Sequence, residues 1–242
     1  MDPSAYLAAL TSVATDVLGG DLVGVHPHGS LVLGGWRPER SDIDVLVVVT
    51  RPLTAPEQDA LASAWRAIPC PAVGLELSVV LDSVAAHPVP RAAFELHVTT
   101  APGDEKDVDG HGHPGDLDLV LHFAVCHSLG LPGFAPVPRA LVLAQLAGEM
   151  DWAAEHNPTE YAVLNACRAL RFAVDGSLVS KVDGGHWARG RVADTDRPLV
   201  EAALARQTGA DPDAPLDPDA VRAFLAAARD VIRRGRPGDP GG

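Results

Sequence analysis

The sequence has few cysteines, and it contains no apolar run long enough to cross a membrane. The three cysteines, Cys70, Cys126 and Cys167, are odd in number and lie in apolar or helical contexts. Because disulfide frameworks belong to oxidising compartments, we expect reduced core thiols and a cytoplasmic protein. A membrane helix needs about 20 apolar residues, and the opening MDPSAYLAAL lacks the basic region of a signal peptide. We therefore expect no contact with a membrane.

Positive charge is also scarce. The formal net charge of -13 at pH 7 argues against non-specific nucleic-acid binding, which requires a basic surface. An acidic surface permits a cationic partner without proving one, because many proteins are acidic. The sequence has only two lysines, Lys106 and Lys181, and Lys181 lies in a glycine-bearing segment. A chain that otherwise uses arginine raises the question of what Lys181 does.

The apolar pattern of the first hundred residues alternates between strands and helices. Helical spacing predicts a helix over 5–18, and a capping box of Thr54 and Glu57 begins a second helix. Strands are predicted over 22–26, 43–49, 73–81 and 94–100. The strand 43–49 is apolar throughout, as a strand covered on both faces should be. We expect an α/β domain with a mixed sheet.

The second half of the sequence has a different texture. The segment APGDEKDVDGHGHPGD is polar and glycine-rich, which predicts a linker. Every periodic segment beyond it is helical, over 117–125, 139–153, 159–174, 199–206 and 219–234. We expect an N-terminal domain over 1–105, an all-α C-terminal bundle over 113–234, and a disordered tail, GRPGDPGG, over 235–242.

Three carboxylates are the strongest indication of chemistry. Asp42 and Asp44 are two residues apart at the start of a strand, so their side chains share a face. Two such carboxylates repel one another unless a cation lies between them. Glu76 lies in the apolar strand GLELSVV, where an unpaired acid would be costly. If the two strands pair, the three oxygen ligands can hold Mg²⁺ together with substrate phosphates.

A Gly-Ser turn, Gly29-Ser30, precedes the aspartates by a dozen residues. Glycine lets the backbone approach a ligand closely, and Ser30 can start a short helix whose free N–H groups bind phosphate oxygens. A metal held by acids and facing a phosphate cradle suits nucleotidyl transfer from a triphosphate. Each feature alone has a simpler reading, since Gly-Ser is commonly a turn, Asp-x-Asp a cap or loop, and Glu76 a residue of an exposed edge. Their order along the chain favours the functional interpretation.

These residues resemble the signature of the nucleotidyltransferase superfamily. HGSLVLGGWRPERSDIDVLVVV is similar to the first motif of the aminoglycoside (3'')(9) adenylyltransferases, which modify streptomycin and spectinomycin. VLNACRALRFAVDGSLVSKVDGGHWA resembles a second segment of that family, with an Arg, a Gly, and a Lys followed by a Trp. The resemblance covers about residues 20–190. It implies Mg²⁺-dependent transfer of AMP from ATP to a hydroxyl of such an antibiotic, by a monomer.

The resemblance also implies a role for individual residues. Asp42 and Asp44 would hold Mg²⁺ with Glu76 as a third ligand, and Glu76 would be the base that acts on the drug hydroxyl. The nucleotide phosphates would contact Gly29, Ser30 and Ser41, and the triphosphate would be gripped by Arg168 and Lys181 from the helical domain. For Arg168 the alternative is an ion pair inside the bundle.

The drug, by the same resemblance, would lie between the domains with its cationic groups against acids. DWAAE supplies Asp151 and Glu155 for this role, whereas Glu160 has the form of a capping residue in Asn157-Pro158-Thr159-Glu160. His97 stands where streptomycin-modifying members carry a Trp. An aromatic face against the sugar would be lost, which argues against streptomycin as a substrate.

Three alternatives remain open at this stage. The enzyme could adenylylate another amino sugar or metabolite. The histidines and cysteine at 111, 113, 122, 126 and 127 could form a zinc site in a binding module, although His122 and His127 do not share a helix face. A catalytically silent, antitoxin-like domain is the third alternative, and the three intact acids argue against it.

Overall fold

The computed structural model describes residues 1–156 and 159–234. The chain divides into two compact units, Met1–Val137 and the remainder from Pro138 onward. Each unit is built around its own elements, and each is treated by itself below. No helix among the described residues has the length and apolar content that crossing a bilayer requires.

The first unit is an α/β domain with a five-stranded mixed sheet. Its strands are β1 (Leu22–Pro27), β2 (Ile43–Val49), β3 (Leu75–Leu81), β4 (Leu96–Thr99) and β5 (Lys106–Asp109), in the order β1-β2-β3-β4-β5. Only β2 and β3 pair in parallel, and the other neighbours are antiparallel. The helices are α1 (Pro3–Leu18), α2 (Gly29–Leu33), α3 (Ala55–Arg66), α4 (Asp82–Ala85) and α5 (Leu119–Ser128). The predicted mixed α/β fold is confirmed.

The two faces of this sheet bury different residues. Val45 and Val47 point into a core with α1 and α3, where the Trp65 indole donates to the carbonyl of Leu10 at 3.1 Å. Leu46 and Val48 point to the opposite face and pack with residues of α5. Because side chains alternate along β2, every even-numbered position of this strand lies on the α5 face. Asp44 is therefore on the α5 face, at the end of the strand where the chain enters it.

The second unit is helical. Its helices are α6 (Arg139–His156), α7 (Glu160–Asp175), α8 (Lys181–Arg189), α9 (Arg197–Thr208) and α10 (Pro218–Arg234). The central helix α7 has eight buried residues and ends at Gly176, whose positive φ closes the helix. The predicted helical C-terminal domain is confirmed.

The structure differs from the sequence-based expectations in two places. The predicted linker contains β5, and α5 packs on the sheet with Phe123 and Cys126 in its core, so the division between the units falls after Val137. β5 has three charged residues and a single apolar one, Val108, so it shows no apolar alternation and the sequence pattern missed it. Charged residues are common on such edge strands. Helix α8 was also missed, because Gly184 and Gly185 interrupt its pattern. The predicted disordered tail, 235–242, lies outside the described residues.

Candidate active site

The three predicted acids come together on one face of the sheet. In the parallel register of β2 and β3, Asp44 lies directly opposite Glu76, and Glu76 in turn lies opposite Thr99 on β4. Asp42 is two residues before Asp44, while Ile43 between them is fully buried in the core of the other face. The predicted pairing of the two acid-bearing strands is confirmed, and it places carboxylates from adjacent strands side by side.

The Gly-Ser turn closes directly onto Asp44. The N–H of His28 donates to the carbonyl of Asp44 at 3.0 Å, and Gly29 follows with φ of 59°. A methyl carbon built on Gly29 would lie 2.6 Å from Cγ of Asp44 and closer still to Oδ2. Only glycine leaves room for the Asp44 carboxylate against this turn, so the turn and the carboxylate form one unit.

The two predicted phosphate-binding serines lie between the turn and β2. Ser30 directly follows Gly29, and Ser41 directly precedes Asp42. Ser30 is in α2, a helix of five residues, and its carbonyl accepts from the N–H of Gly34. The Ser41 hydroxyl accepts from the N–H of Arg37 at 3.1 Å, and its carbonyl accepts from the N–H of Val73. Ser41 thus holds the loop before Asp42 in place. Its role toward phosphate stays a prediction.

Electrostatically, Glu76 is a strongly perturbed acid. Burial and the carboxylates of Asp44, Asp118, Asp42 and Asp116 raise its pKa to about 8. All four of these carboxylates disfavour a further negative charge, so a cation nearby would favour the ionised form of Glu76. A base with a pKa near neutrality can accept a proton from a hydroxyl group under ordinary conditions.

Sequence reasoning missed two members of this acidic site, Asp116 and Asp118. The backbone of Asp116 bridges to Ala92, its carboxylate accepts from the N–H of Asp118, and Asp118 precedes the first turn of α5. The motif DLD before an apolar run repeats the pattern of DID at 42–44, and this signal was present in the sequence. Asp116 was the last residue of the predicted linker and Asp118 lay in the predicted helical segment 117–125, so the motif was divided between the two and was not considered.

His97 lies on the same face of the sheet as Glu76. It pairs across the strands with Ser78, and its Nδ1 is 3.0 Å from the Ser78 hydroxyl. Ser78 is two residues from Glu76, so both side chains emerge on the α5 face. Burial is the main cause that lowers the pKa of His97, which keeps the ring neutral near pH 7. The structure places this predicted substrate residue beside the acidic site.

The fit of Mg²⁺ to this site depends on the number of protein ligands it needs. Among the residues that the structure describes, no group of three or more His, Cys, Asp or Glu side chains is arranged to hold a metal ion. Asp42, Asp44 and Glu76 therefore do not form a closed three-ligand site. Mg²⁺ commonly uses one or two carboxylates together with waters and substrate phosphates. Asp42 and Asp44, next to a glycine turn, suit that mode of binding.

The histidines of the zinc alternative are engaged elsewhere. The His122 ring packs on that of His28 with centroids 4.3 Å apart, and His127 Nδ1 is 2.9 Å from the carbonyl of Phe134. Cys126 is buried in the apolar core, and His113 contacts Phe94. The described residues thus offer no zinc template in this region.

The two predicted cations of the helical unit lie on neighbouring helices. Arg168 on α7 donates from Nη2 to Glu149 on α6 at 2.9 Å, which is the ion pair expected as its alternative role. Lys181 is the first residue of α8, and its ammonium lies 4.1 Å from the ring centroid of Tyr161 on α7. Both side chains are therefore positioned by α7, whichever ligand they bind.

Gly184 allows α8 to approach α7 closely, and its replacement by alanine tests this packing. A Cβ at Gly184 would lie 2.7 Å from the backbone nitrogen of Arg168, so α8 must shift. We expect Gly184→Ala to destabilise the protein by about 1–2 kcal/mol, a decrease in Tm of roughly 2–8 °C. Thermal unfolding measures the change.

Gly148→Ala on α6 is the matched control for this substitution. Its Cβ would meet nothing within 4 Å, so the higher helix propensity of alanine should stabilise the protein by about 1 kcal/mol and raise its Tm. Equal Tm changes in the two variants would show that contact with Arg168 does not limit the position of α8.

The two acids predicted to bind the drug both lie on α6, in different surroundings. Asp151 on α6 forms an ion pair with Arg229 on α10. Glu155 is exposed on the last turn of α6. Glu160 lies 3.6 Å from Arg206 on α9, in agreement with a structural role, while residues 157 and 158 of its predicted capping box lie outside the described residues. The predicted drug contacts of Asp151 and Glu155 stay predictions.

Comparison with known proteins identifies both parts of the chain. Residues 12–81 match the nucleotidyltransferase domain, and residues 134–230 match the aminoglycoside adenylyltransferase C-terminal domain. Among solved structures, spectinomycin adenyltransferase AAD(9) from Enterococcus faecialis with ATP and spectinomycin matches with a TM-score of 0.70 and 15% identity, over 96% of this chain and all of that chain.

Two further comparisons add no support. E. coli MS115-1 CdnC with ATP matches with a TM-score of 0.29 and 14% identity, over 95% of this chain and 83% of that chain, which is too low a score to bear on the fold. No curated protein matches the sequence.

Proposed function

The chain belongs to the aminoglycoside adenylyltransferase family and is a nucleotidyltransferase, and we propose that it transfers AMP from ATP to a hydroxyl group of an aminoglycoside-type antibiotic, with release of pyrophosphate. The observation that carries this proposal is the register that sets Asp44 against Glu76, with the Gly29 turn packed on Asp44. This arrangement lies in a nucleotidyltransferase domain that is followed by the C-terminal domain of the drug-modifying family.

In the proposed reaction Glu76 takes the proton from the drug hydroxyl, which then attacks the α-phosphorus of ATP. Its raised pKa supports this role, because a carboxylate with a pKa of about 8 is a stronger base than an ordinary one. Asp42 and Asp44 would hold Mg²⁺, which would neutralise charge on the phosphates. The remaining roles are proposed as follows: phosphate contacts by Gly29, Ser30 and Ser41, triphosphate contacts by Arg168 and Lys181, and drug contacts by His97, Asp151 and Glu155.

Spectinomycin is the first substrate to test, and streptomycin the second. A histidine at position 97 offers less aromatic surface to a sugar ring than a tryptophan would, which favours spectinomycin. The negative charge around Glu76, from Asp116 and Asp118 as well as the two aspartates of β2, suits a cationic substrate. That the protein is a monomer located in the cytoplasm stays a prediction.

The test is a panel assay with purified protein, ATP and Mg²⁺. Spectinomycin, streptomycin, kanamycin and gentamicin are each supplied, and pyrophosphate release and product mass are measured. A product heavier by one AMP is expected with spectinomycin, and chelation of Mg²⁺ should abolish it. If no drug is modified while ATP and Mg²⁺ bind, these four antibiotics are excluded as substrates and the substrate is another amino sugar or metabolite.

A further inference from the structure

Asn165, in the middle of α7, is a buried amide without a structural explanation. Its side chain is 1% exposed, and neither Oδ1 nor Nδ2 has a hydrogen-bond partner among the residues that the structure describes. Burying an unpaired amide costs free energy, and the great majority of buried polar atoms in proteins are paired. A leucine has the same branched shape and does not carry that cost. The amide is therefore expected to serve something other than the packing of the bundle.

Arg168 lies on the same face of α7 as Asn165, and Lys181 of α8 lies close to that helix. Tyr161 and Arg168 are one helical turn before and after it, and residues three or four apart are neighbours on a helix. The Nε of Arg168 is also buried without a partner, although its Nη2 pairs with Glu149. Lys181 lies over the ring of Tyr161. This face of α7 thus combines a guanidinium that has an unpaired Nε with an amide that has both a donor and an acceptor to offer.

We propose that Asn165 is a nucleotide-contacting residue of the helical unit. Nδ2 of Asn165 and Nε of Arg168 donate to phosphate oxygens, and Oδ1 of Asn165 accepts from a hydroxyl group of the ribose. A nucleoside triphosphate satisfies all three atoms, because it carries anionic acceptors and hydroxyl donors in one molecule. This inference rests on the proposed function and adds a residue to its nucleotide site.

Asn165→Leu tests the inference, because the two side chains have the same branched shape and the same number of heavy atoms. We expect the ligand-free variant to unfold at a Tm a few degrees above wild type, since an unpaired polar group has been removed. We also expect its affinity for ATP, measured by calorimetry with Mg²⁺, to fall by at least about tenfold. A gain in stability joined to a loss of affinity is the signature of a binding residue, and a structural residue would not produce it.

Gln145→Leu on α6 is the matched control. Among the described residues of the unit Gln145 is the other buried amide; it is 8% exposed and does have an interaction partner. Its replacement should lower Tm and leave the affinity of the folded protein for ATP unchanged.

Three outcomes would overturn the inference, and they can be told apart. A lower Tm for ligand-free Asn165→Leu would show that the amide has a structural partner, such as a bound water. Wild-type affinity for ATP in Asn165→Leu would overturn the inference while leaving the proposed function intact. Wild-type protein that binds no ATP would overturn the proposed function itself, and the inference with it.

Discussion

Glu76→Gln is expected to reduce the rate of adenylyl transfer by at least about 10²–10⁴-fold, the usual contribution of a general base. The amide keeps the size of the side chain and removes only its ability to accept the proton. Because the proposed phosphate contacts come from other residues, the affinity for ATP should stay close to that of wild type. Single-turnover rates and calorimetric titration with ATP separate the two effects. Normal turnover in this variant would exclude Glu76 as the base.

The same substitution should stabilise the ligand-free protein at high pH. The folded-state pKa of Glu76, about 8, lies above its ordinary value of 4.5, so the folded state binds the proton more tightly than the unfolded state. This contribution to stability is complete below pH 4.5 and is lost as the pH rises through 8. Glutamine does not ionise. The Tm of Glu76→Gln should therefore exceed that of wild type by a margin that grows from pH 5 to pH 9, to several degrees.

Two controls make the pH experiment specific to the acidic site. Asp59→Asn removes an exposed carboxylate from α3, so neither turnover nor the pH dependence of Tm should change. Mg²⁺ should narrow the difference between Glu76→Gln and wild type, because a cation offsets the repulsion among the acids. A pH-independent difference in Tm would show that the charge of Glu76 is already balanced in the folded protein.

The core of the site was predictable because local rules and tertiary structure agree there. An apolar strand preceded by Asp-x-Asp has one face for its acids and one for its core, and the observed burial of Ile43 between Asp42 and Asp44 follows from that alternation. To predict that Glu76 joins the two aspartates, one must also assume that β3 pairs with β2. The only sign of this pairing in the sequence is an acid inside an apolar strand.

The remaining features depend on contacts between segments far apart in the sequence. Asp116 and Asp118 join the site because Ala92 and Asp116 form a bridge, and no local pattern encodes that pairing. Helix α8 is short and contains two adjacent glycines, so its local propensity is poor; it is stabilised by packing on α7, where Gly184 meets Arg168. Asn165 looked like an ordinary polar position of a helix, and only its burial makes it a candidate.

Gly29→Ala should reduce turnover by about 100-fold or more, the effect of moving a catalytic group by about 1 Å. The added Cβ would lie 2.6 Å from Cγ of Asp44 and 3.0 Å from its Cβ, so either the carboxylate rotates away or the turn moves off the strand. Both changes separate the proposed metal ligand from the proposed phosphate turn. The rate at saturating ATP and drug measures the loss, and Tm should also fall, because alanine is strained at a φ of 59°.

Gly19→Ala separates the strain of the backbone from the clash with Asp44. Gly19 also has a positive φ, 54°, but a Cβ there would meet nothing within 4 Å. This variant should lose about 1–2 kcal/mol of stability from the unfavourable φ and keep the turnover of wild type. If Gly29→Ala lost only as much stability as Gly19→Ala and kept its turnover, the packing of the turn on Asp44 would have no part in catalysis. A loss of turnover confined to Gly29→Ala would instead tie the rate to the position of the Asp44 carboxylate.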